Sequence, residues 1–394
     1  MSHLLPHLRL VGGQTVIGGV VEDRPLSIAE GRIVMDGGTE VDLSGFMVLP
    51  GIIDLHGDGF EHHLRPRPTT GFPLAAGLAS YDREAVTHGI TTAWMAQGWS
   101  WEGGPRGPEA AEALLEALVS YRTRALTDLR VQFRAETHFT EAANRLLDLC
   151  AQYGVDYVIF NDHLEEGLHM ARNQPDAFAM WARKIGLTHN ALQERLMQAQ
   201  AQAPQVPRSL RDLAQGFTQL GIRFGSHDDP DAETRDLYSM LGARIAEFPL
   251  NHRAAAAARA LDNPILMGAP NVVRGGSQSG NVAATDLIRA GLCDALVSDY
   301  HLPALPLAAW TLADAGVLPF ARAWEMISSA PARIMGLADR GWLAPGLRAD
   351  IVIMDPETRS IGATINAGRL VHAEGRVALR LMGLSARSDR LAAE

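Results

Sequence analysis

Residues of the types that hold a divalent cation end six apolar runs: His56 and Asp58, Glu136 with His138, Asp162 with His163, His227 with Asp228 and Asp229, Glu247, and Asp299 with His301. Each stands at or just past the end of a short apolar run. Imidazoles and carboxylates converging on one place are what a transition metal needs, and such an ion lowers the pKa of a bound water toward neutrality. His56 and Asp58 are two residues apart, so on a strand both face the same way and can grip one ion. Any one of these residues alone reads as a loop cap or a satisfied polar group; their recurrence at one run end after another points to a metal site. A second set suits anions. Arg65 and Arg67 lie in Arg65-Pro66-Arg67-Pro68, an extended stretch, with His62 and His63 just before it. Arg274 precedes Gly275-Gly276-Ser277-Gln278-Ser279-Gly280-Asn281. Glycines let backbone N–H groups face an anion, and a guanidinium grips phosphate oxygens in pairs. The expected substrate-binding residues are therefore His63, Arg65, Arg67, Arg274 and Ser277. Each has a plainer reading, as a solvated loop or, for Asp228 and Asp229, as a helix cap.

The apolar runs that deliver these residues are GIIDLH (51–56), ITTAWMA (90–96), LRVQFRAE (129–136), VDYVIFND (155–162), IRFGSHDD (222–229), ARIAEFPL (243–250), PILMGAPNV (264–272) and DALVSDY (294–300). Segments with helical spacing, such as EAAEALLEALVSYRTRAL (109–126), separate them. Strands apolar on both faces and alternating with helices imply a parallel sheet with crossover helices. Eight repeats over residues 51–340 predict an α/β fold, a (β/α)8 TIM barrel, with a doubly wound sheet as the alternative. In a barrel, chemistry collects where strands end, so the residues terminating the runs are the informative ones. Residues 1–50 and 341–394 have a different texture, of short β-prone pieces and glycine turns. Neither end suffices for a sheet alone, and together they predict a small β-sandwich domain beside the barrel.

The formal net charge of −10 argues against a general nucleic-acid binder but not against an anionic small molecule held by local cations. No apolar run is long enough for a membrane span, and no signal peptide is expected. The two cysteines, Cys150 and Cys293, read as buried hydrophobes in a reducing compartment, which places the chain in the cytoplasm. A homodimer is the expected assembly if the outer helices pair. Lys184 is the only lysine in the chain, and it falls on a helical segment.

LPGIIDLH (49–56), GITT (89–92), SSAPAR (328–333) and GWLAPGLRADIVIMD (341–355) together resemble the framework of the amidohydrolase superfamily over nearly the whole chain. The resemblance implies a barrel holding one or two divalent metals, zinc first, with manganese or iron as alternatives. It implies His56, Asp58, Glu136, His163, His227 and Asp299 as ligands, with Asp299 also the general base. The usual second histidine of the first strand is replaced by Asp58. The usual carboxylated lysine has no counterpart at a strand end, so Glu136 takes the bridging place, and either His163 or Glu247 completes the set. SHDDPD (226–231), IAEFP (245–249), MGAPNVVRGGSQSGN (267–281) and SDYHLPA (298–304) resemble more closely a branch of diphosphatases in phosphonate catabolism. That resemblance implies hydrolysis of α-D-ribose 1-methylphosphonate 5-triphosphate to the 5-phosphate and pyrophosphate. The alternatives are hydrolysis of a C–N bond in a cyclic amide, N-acyl compound or deaminable ring, and a non-enzymatic scaffold.

Overall fold

The computed structural model describes residues 4–67 and 70–383; residues 1–3, 68–69 and 384–394 lie outside the described residues. Eight parallel strands pair in chain order: β1 (Ile52–Gly57), β2 (Ile90–Trp99), β3 (Asp128–Glu136), β4 (Tyr157–Asn161), β5 (Arg223–His227), β6 (Ile245–Glu247), β7 (Ile265–Gly268) and β8 (Ala295–Val297). Each is one of the apolar runs picked out in the sequence, and the doubly wound alternative is excluded. Burial on both faces explains the composition: all ten residues of β2 are buried.

The barrel closes between β8 and β1. Asp58 N–H donates to the Asp299 carbonyl at 2.8 Å, and Asp299 N–H to the His56 carbonyl at 2.9 Å. Below them the Asp54 carboxylate accepts from Ser298 N–H at 2.9 Å and Ser298 Oγ at 2.5 Å. Gly57 is required here, because a Cβ would lie 2.7 Å from Ser298 Oγ and 2.8 Å from Asp54 Oδ2. The seam therefore sets Asp58 and Asp299 side by side.

Both chain ends supply the remaining sheets. One is four-stranded (Arg32–Val34, Leu26–Ala29, Leu8–Val11, Thr39–Asp42); the other is six-stranded (Arg369–Ala373, Ser360–Asn366, Ile351–Asp355, Met47–Pro50, Gln14–Ile17, Val20–Glu22). Leu10, Ile28 and Leu43 from the N-terminal part and Ile351, Ile353 and Ile365 from the C-terminal part share one core, as a β-sandwich does. Met47–Pro50 pairs with Ile351–Asp355 one residue before β1 begins at Ile52 with Gly51 between, so the sandwich hands the chain directly to the first strand of the site.

After β4 the chain inserts three helices, Leu164–Asn173, Pro175–Lys184 and His189–Ala201. They enclose Leu168, Phe178, Leu192 and Leu196 together with Trp101 from the loop after β2. This layer stands beside the strand ends and walls the site. Among the described residues no helix is long and apolar enough to cross a membrane.

Candidate active site

The ends of the barrel strands open into a cavity of about 460 Å³ lined by His56, Asp58, Arg134, His163, His227, Asp228 and Asp299, with Arg274 and Ser277 at its rim. Its floor is built from four barrel strands, β1, β3, β4 and β6. Glu247 at the end of β6 accepts from Tyr157 Oη at 2.5 Å, from Gln132 Nε2 at 2.7 Å and from His56 Nδ1 at 2.8 Å. Both of its oxygens are thus committed. The bond to His56 places the proton on Nδ1 and leaves the Nε2 lone pair free for a ligand, as carboxylates do behind metal-binding histidines. His227 stacks near it, with ring centroids 5.3 Å apart, and Phe248 presses on both rings at 5.3 and 4.9 Å.

Charges in the floor are mutually adjusted. Burial disfavours protonation of His56, but Glu247 outweighs it, so the His56 pKa is raised and that of Glu247 lowered. Burial dominates at His227 and lowers its pKa, keeping the ring neutral and able to donate a lone pair. Its Nδ1 lies 2.9 Å from Asp228 Oδ2 but in no hydrogen-bond geometry, so this buried nitrogen has no hydrogen-bond partner among the described residues. Burial pushes Asp299 up to about 6, against the pull of His56 and with Asp58 adding to the rise. His56, His227 and Glu247 offer donor atoms all within 4.8 Å of one another. A neutral imidazole with an unused nitrogen, a second imidazole oriented from behind and neighbouring carboxylates fit a divalent transition metal.

Glu136 and His163 form a second group. Glu136 Oε1 lies 2.5 Å from His163 Nδ1, and Glu136 Oε2 accepts from His163 N–H at 3.2 Å. Burial opposes the charge on each, yet the pairing lowers Glu136 and raises His163. Between Gln132 and Glu136 on β3 the alternation of side chains turns Arg134 to the same interior face. Its Nη1 lies 3.6 Å from Asp58 Oδ2, and its buried Nε has no hydrogen-bond partner among the described residues. This arginine was not picked out in the sequence. The signal was present, since a residue two before an inward-facing Glu136 must also face inward.

Backbone strain gathers at the same rim. Asp228, Phe248 and Asp299 follow β5, β6 and β8 in left-handed conformation, with φ of 58°, 51° and 55°. Asp tolerates this conformation, whereas Phe adopts it at a cost, and such strain clusters at functional sites. The helix cap expected near the fifth strand is Asp231, whose carboxylate accepts from Thr234 N–H at 2.7 Å. Asp229 instead is buried against Arg235 at 3.2 Å and Ser226 at 2.8 Å, and Asp228 lines the cavity.

The walls carry cations. Arg274 ends the short helix Ala269–Arg274, and its Nη1 donates to Gln278 Oε1 at 3.1 Å and to Tyr300 Oη at 3.3 Å. Gly275, Gly276 and Gly280 take positive φ in the loop beyond, and Ser277 Oγ accepts from Ser279 N–H at 3.2 Å. Arg106, from the loop after β2, enters between Glu61 and Glu102, each 3.7 Å away. Buried Glu102 also accepts from Trp181 Nε1 at 2.9 Å, which ties the inserted helices to this wall. Nothing in the local sequence marks Arg106 or Glu102. The structure does not bring His63, Arg65 or Arg67 to this cavity. His63 Nε2 lies 2.8 Å from Glu84 Oε2, Arg67 is exposed, and Arg65 lines a neighbouring chamber.

No family model matches the chain. It is 31% identical to the α-D-ribose 1-methylphosphonate 5-triphosphate diphosphatase of Escherichia coli (strain K12) over 364 residues, covering 89% of this chain and 94% of that enzyme. It is 27% identical to an adenine deaminase of Brucella abortus (strain 2308), across 92% of this chain but only 56% of the deaminase. Among solved structures, the N-acyl-D-glutamate deacylase of Bordetella bronchiseptica, crystallised with zinc and a phosphonate inhibitor, superposes with a TM-score of 0.59 at 17% identity, covering 95% of this chain and 99% of that one. That superposition shows a shared fold. Through its 31% identical relative, its barrel and its hydrolytic neighbours, the chain belongs to the amidohydrolase superfamily and is an enzyme.

Proposed function

We propose that the chain is a metal-dependent diphosphatase that hydrolyses α-D-ribose 1-methylphosphonate 5-triphosphate to the 5-phosphate and pyrophosphate. One observation carries the reading: a single cavity joins a floor of His56, His227 and Asp299 to walls bearing Arg106, Arg134 and Arg274. A C–N hydrolase needs the floor, but a neutral ring offers no charge to Arg274, which pairs with no carboxylate among the described residues. His56, His227 and Asp299 would hold a divalent ion, with Asp58, Glu136 and His163 available to a second; zinc, manganese and iron all suit these donors. When bound, the ion lowers the pKa of a water and polarises a phosphoryl oxygen. Asp299 takes the proton of the attacking water. Water oxygen bonds to the α-phosphorus, the bond from that phosphorus to the bridging oxygen breaks, and pyrophosphate leaves. Arg134, the deepest cation, neutralises the α-phosphate, while Arg274 and the glycine loop take the departing pyrophosphate.

The second reading, removal of ammonia from adenine or a similar ring, is favoured by the deaminase identity alone. Purified protein supplied with zinc or manganese separates them. Pyrophosphate from the ribose triphosphate, with no ammonia from adenine, is the expected result. Ammonia without pyrophosphate would overturn the assignment.

A further inference from the structure

Beside the catalytic cavity lies a second chamber of about 580 Å³. The two share Asp58, Arg106, Trp181 and Tyr300 as a common wall, so one extended ligand can occupy both. The chamber has a composite lining. Phe60, Leu64, Phe72 and Ile185 give it an apolar side, and Arg65 and Lys184 bring two cations. Neither cation makes a side-chain hydrogen bond or an ion pair with a described residue, in contrast to Arg106, which sits between Glu61 and Glu102. The two carboxylates of the chamber, Asp58 and Glu61, lie 3.6 Å from Arg134 and 3.7 Å from Arg106, which leaves Arg65 and Lys184 as the uncommitted cations of its lining, a local positive field in a chain of net charge −10. Phe72, 54% exposed, lines the same chamber.

We infer that this chamber is a binding site for the phosphonate end of the substrate, a small alkylphosphonate ester, with Arg65 and Lys184 on its charged oxygens and the apolar side against the alkyl group. The inference rests on the diphosphatase reading. It follows from what that substrate needs: an anion at each end, only one of which is the polyphosphate. Arg274 and the glycine loop lie at the rim of the catalytic cavity, whereas Arg65 and Lys184 line only the chamber on the other side of Tyr300. With the triphosphate on the Arg274 side and its α-phosphorus over the floor, the sugar passes the shared wall and its 1-substituent enters the chamber. A phosphonate carries both a charge and a carbon group, and the chamber offers a partner for each. The lone lysine and the first arginine of the RPRP stretch thereby gain a shared role.

The test compares two substrates on the metal-loaded enzyme: the ribose triphosphate bearing the 1-methylphosphonate and D-ribose 5-triphosphate, which lacks it. The readout is the ratio of their kcat/KM values for pyrophosphate release. Wild-type protein is expected to prefer the phosphonate-bearing substrate. Because charge-assisted contacts are the strong ones, R65L and K184M are each expected to cut the ratio about tenfold, through KM for the phosphonate substrate. A113L, which narrows the chamber from its helical side without touching a charge, is expected to lower the same ratio. Arg65 and Lys184 are at least partly exposed, so circular dichroism and melting should report intact folds. A ratio unchanged in all three variants, with wild-type turnover intact, would remove the chamber assignment and leave the diphosphatase standing. Absence of pyrophosphate from both substrates with wild-type protein would remove both.

Discussion

Replacing Glu247 with glutamine changes no volume and probes the floor of the site directly. Glu247 takes three hydrogen bonds, from Tyr157, Gln132 and His56. An amide can satisfy only one side of that arrangement. With its oxygen toward Tyr157 and Gln132, its NH2 faces His56 Nδ1, which must then accept. The proton moves to Nε2, and the coordinating lone pair is lost. With the amide reversed, two donors meet an NH2, which leaves buried polar groups unsatisfied and costs about 1–3 kcal/mol. The first arrangement is the cheaper for the fold and the damaging one for the ion. Loss of such an orienting carboxylate lowers metal affinity about 10–100-fold, or about 1.4–2.8 kcal/mol at 1.4 kcal/mol per tenfold. The assay is a competition titration of zinc or manganese into chelator-stripped E247Q and wild-type protein, with thermal melting to establish the fold. A variant that melts normally and binds metal with wild-type affinity would refute the role of Glu247 as the group that orients His56.

Four further outcomes are expected. Asp299→Asn should lower kcat by about 10²–10⁴ with the metal content of the protein retained, measured by pyrophosphate release and elemental analysis. Arg274→Ala should lower kcat/KM for the ribose triphosphate by about tenfold or more, since one charge-assisted contact to phosphate is worth about 1.5–3 kcal/mol. Gly57→Ala should destabilise the protein by about 1–3 kcal/mol in urea or thermal melts, because its Cβ would meet Ser298 Oγ at 2.7 Å and Asp54 Oδ2 at 2.8 Å across the closing seam. Asp128 is half-buried, which raises its pKa, but Arg130 and Arg340, at 3.0 and 2.7 Å, outweigh this and hold it below the usual aspartate range. A depressed carboxylate stabilises the fold above the ordinary aspartate pKa, and that contribution is lost as pH falls through the lowered value. Asp128→Asn should therefore melt lower than wild type at neutral pH, and the gap should close in acid.

Much of the architecture is legible in the sequence for a simple reason. Strands buried on both faces leave apolar runs that stand out against helical segments, and a barrel collects its polar residues where those runs stop. His56, Asp58, Glu136, His227 and Asp299 fall on that rule. Arg134 escapes it because it lies inside a run, where only the alternation through Gln132 and Glu136 reveals its direction. Arg106 and Glu102 escape for a different cause. They stand on a loop whose path is set by Trp181 from helices some eighty residues onward, and no local pattern encodes that contact. Glu247 shows the limit of residue type as a guide. A buried glutamate at a strand end looks like a ligand, but whether it coordinates or orients depends on Tyr157 and Gln132, which are far from it in sequence. In the RPRP stretch, proline-held extension says that the arginines project, and leaves open which of two adjoining chambers they meet.

The most direct test of the diphosphatase reading is hydrolysis of α-D-ribose 1-methylphosphonate 5-triphosphate in water enriched with oxygen-18, followed by phosphorus NMR. Attack on the α-phosphorus over the His56–His227 floor is expected to give two products only, with the label in the sugar 5-phosphate and none in pyrophosphate. Label in pyrophosphate, release of orthophosphate, or an unchanged triphosphate beside rapid ammonia release from adenine would contradict it.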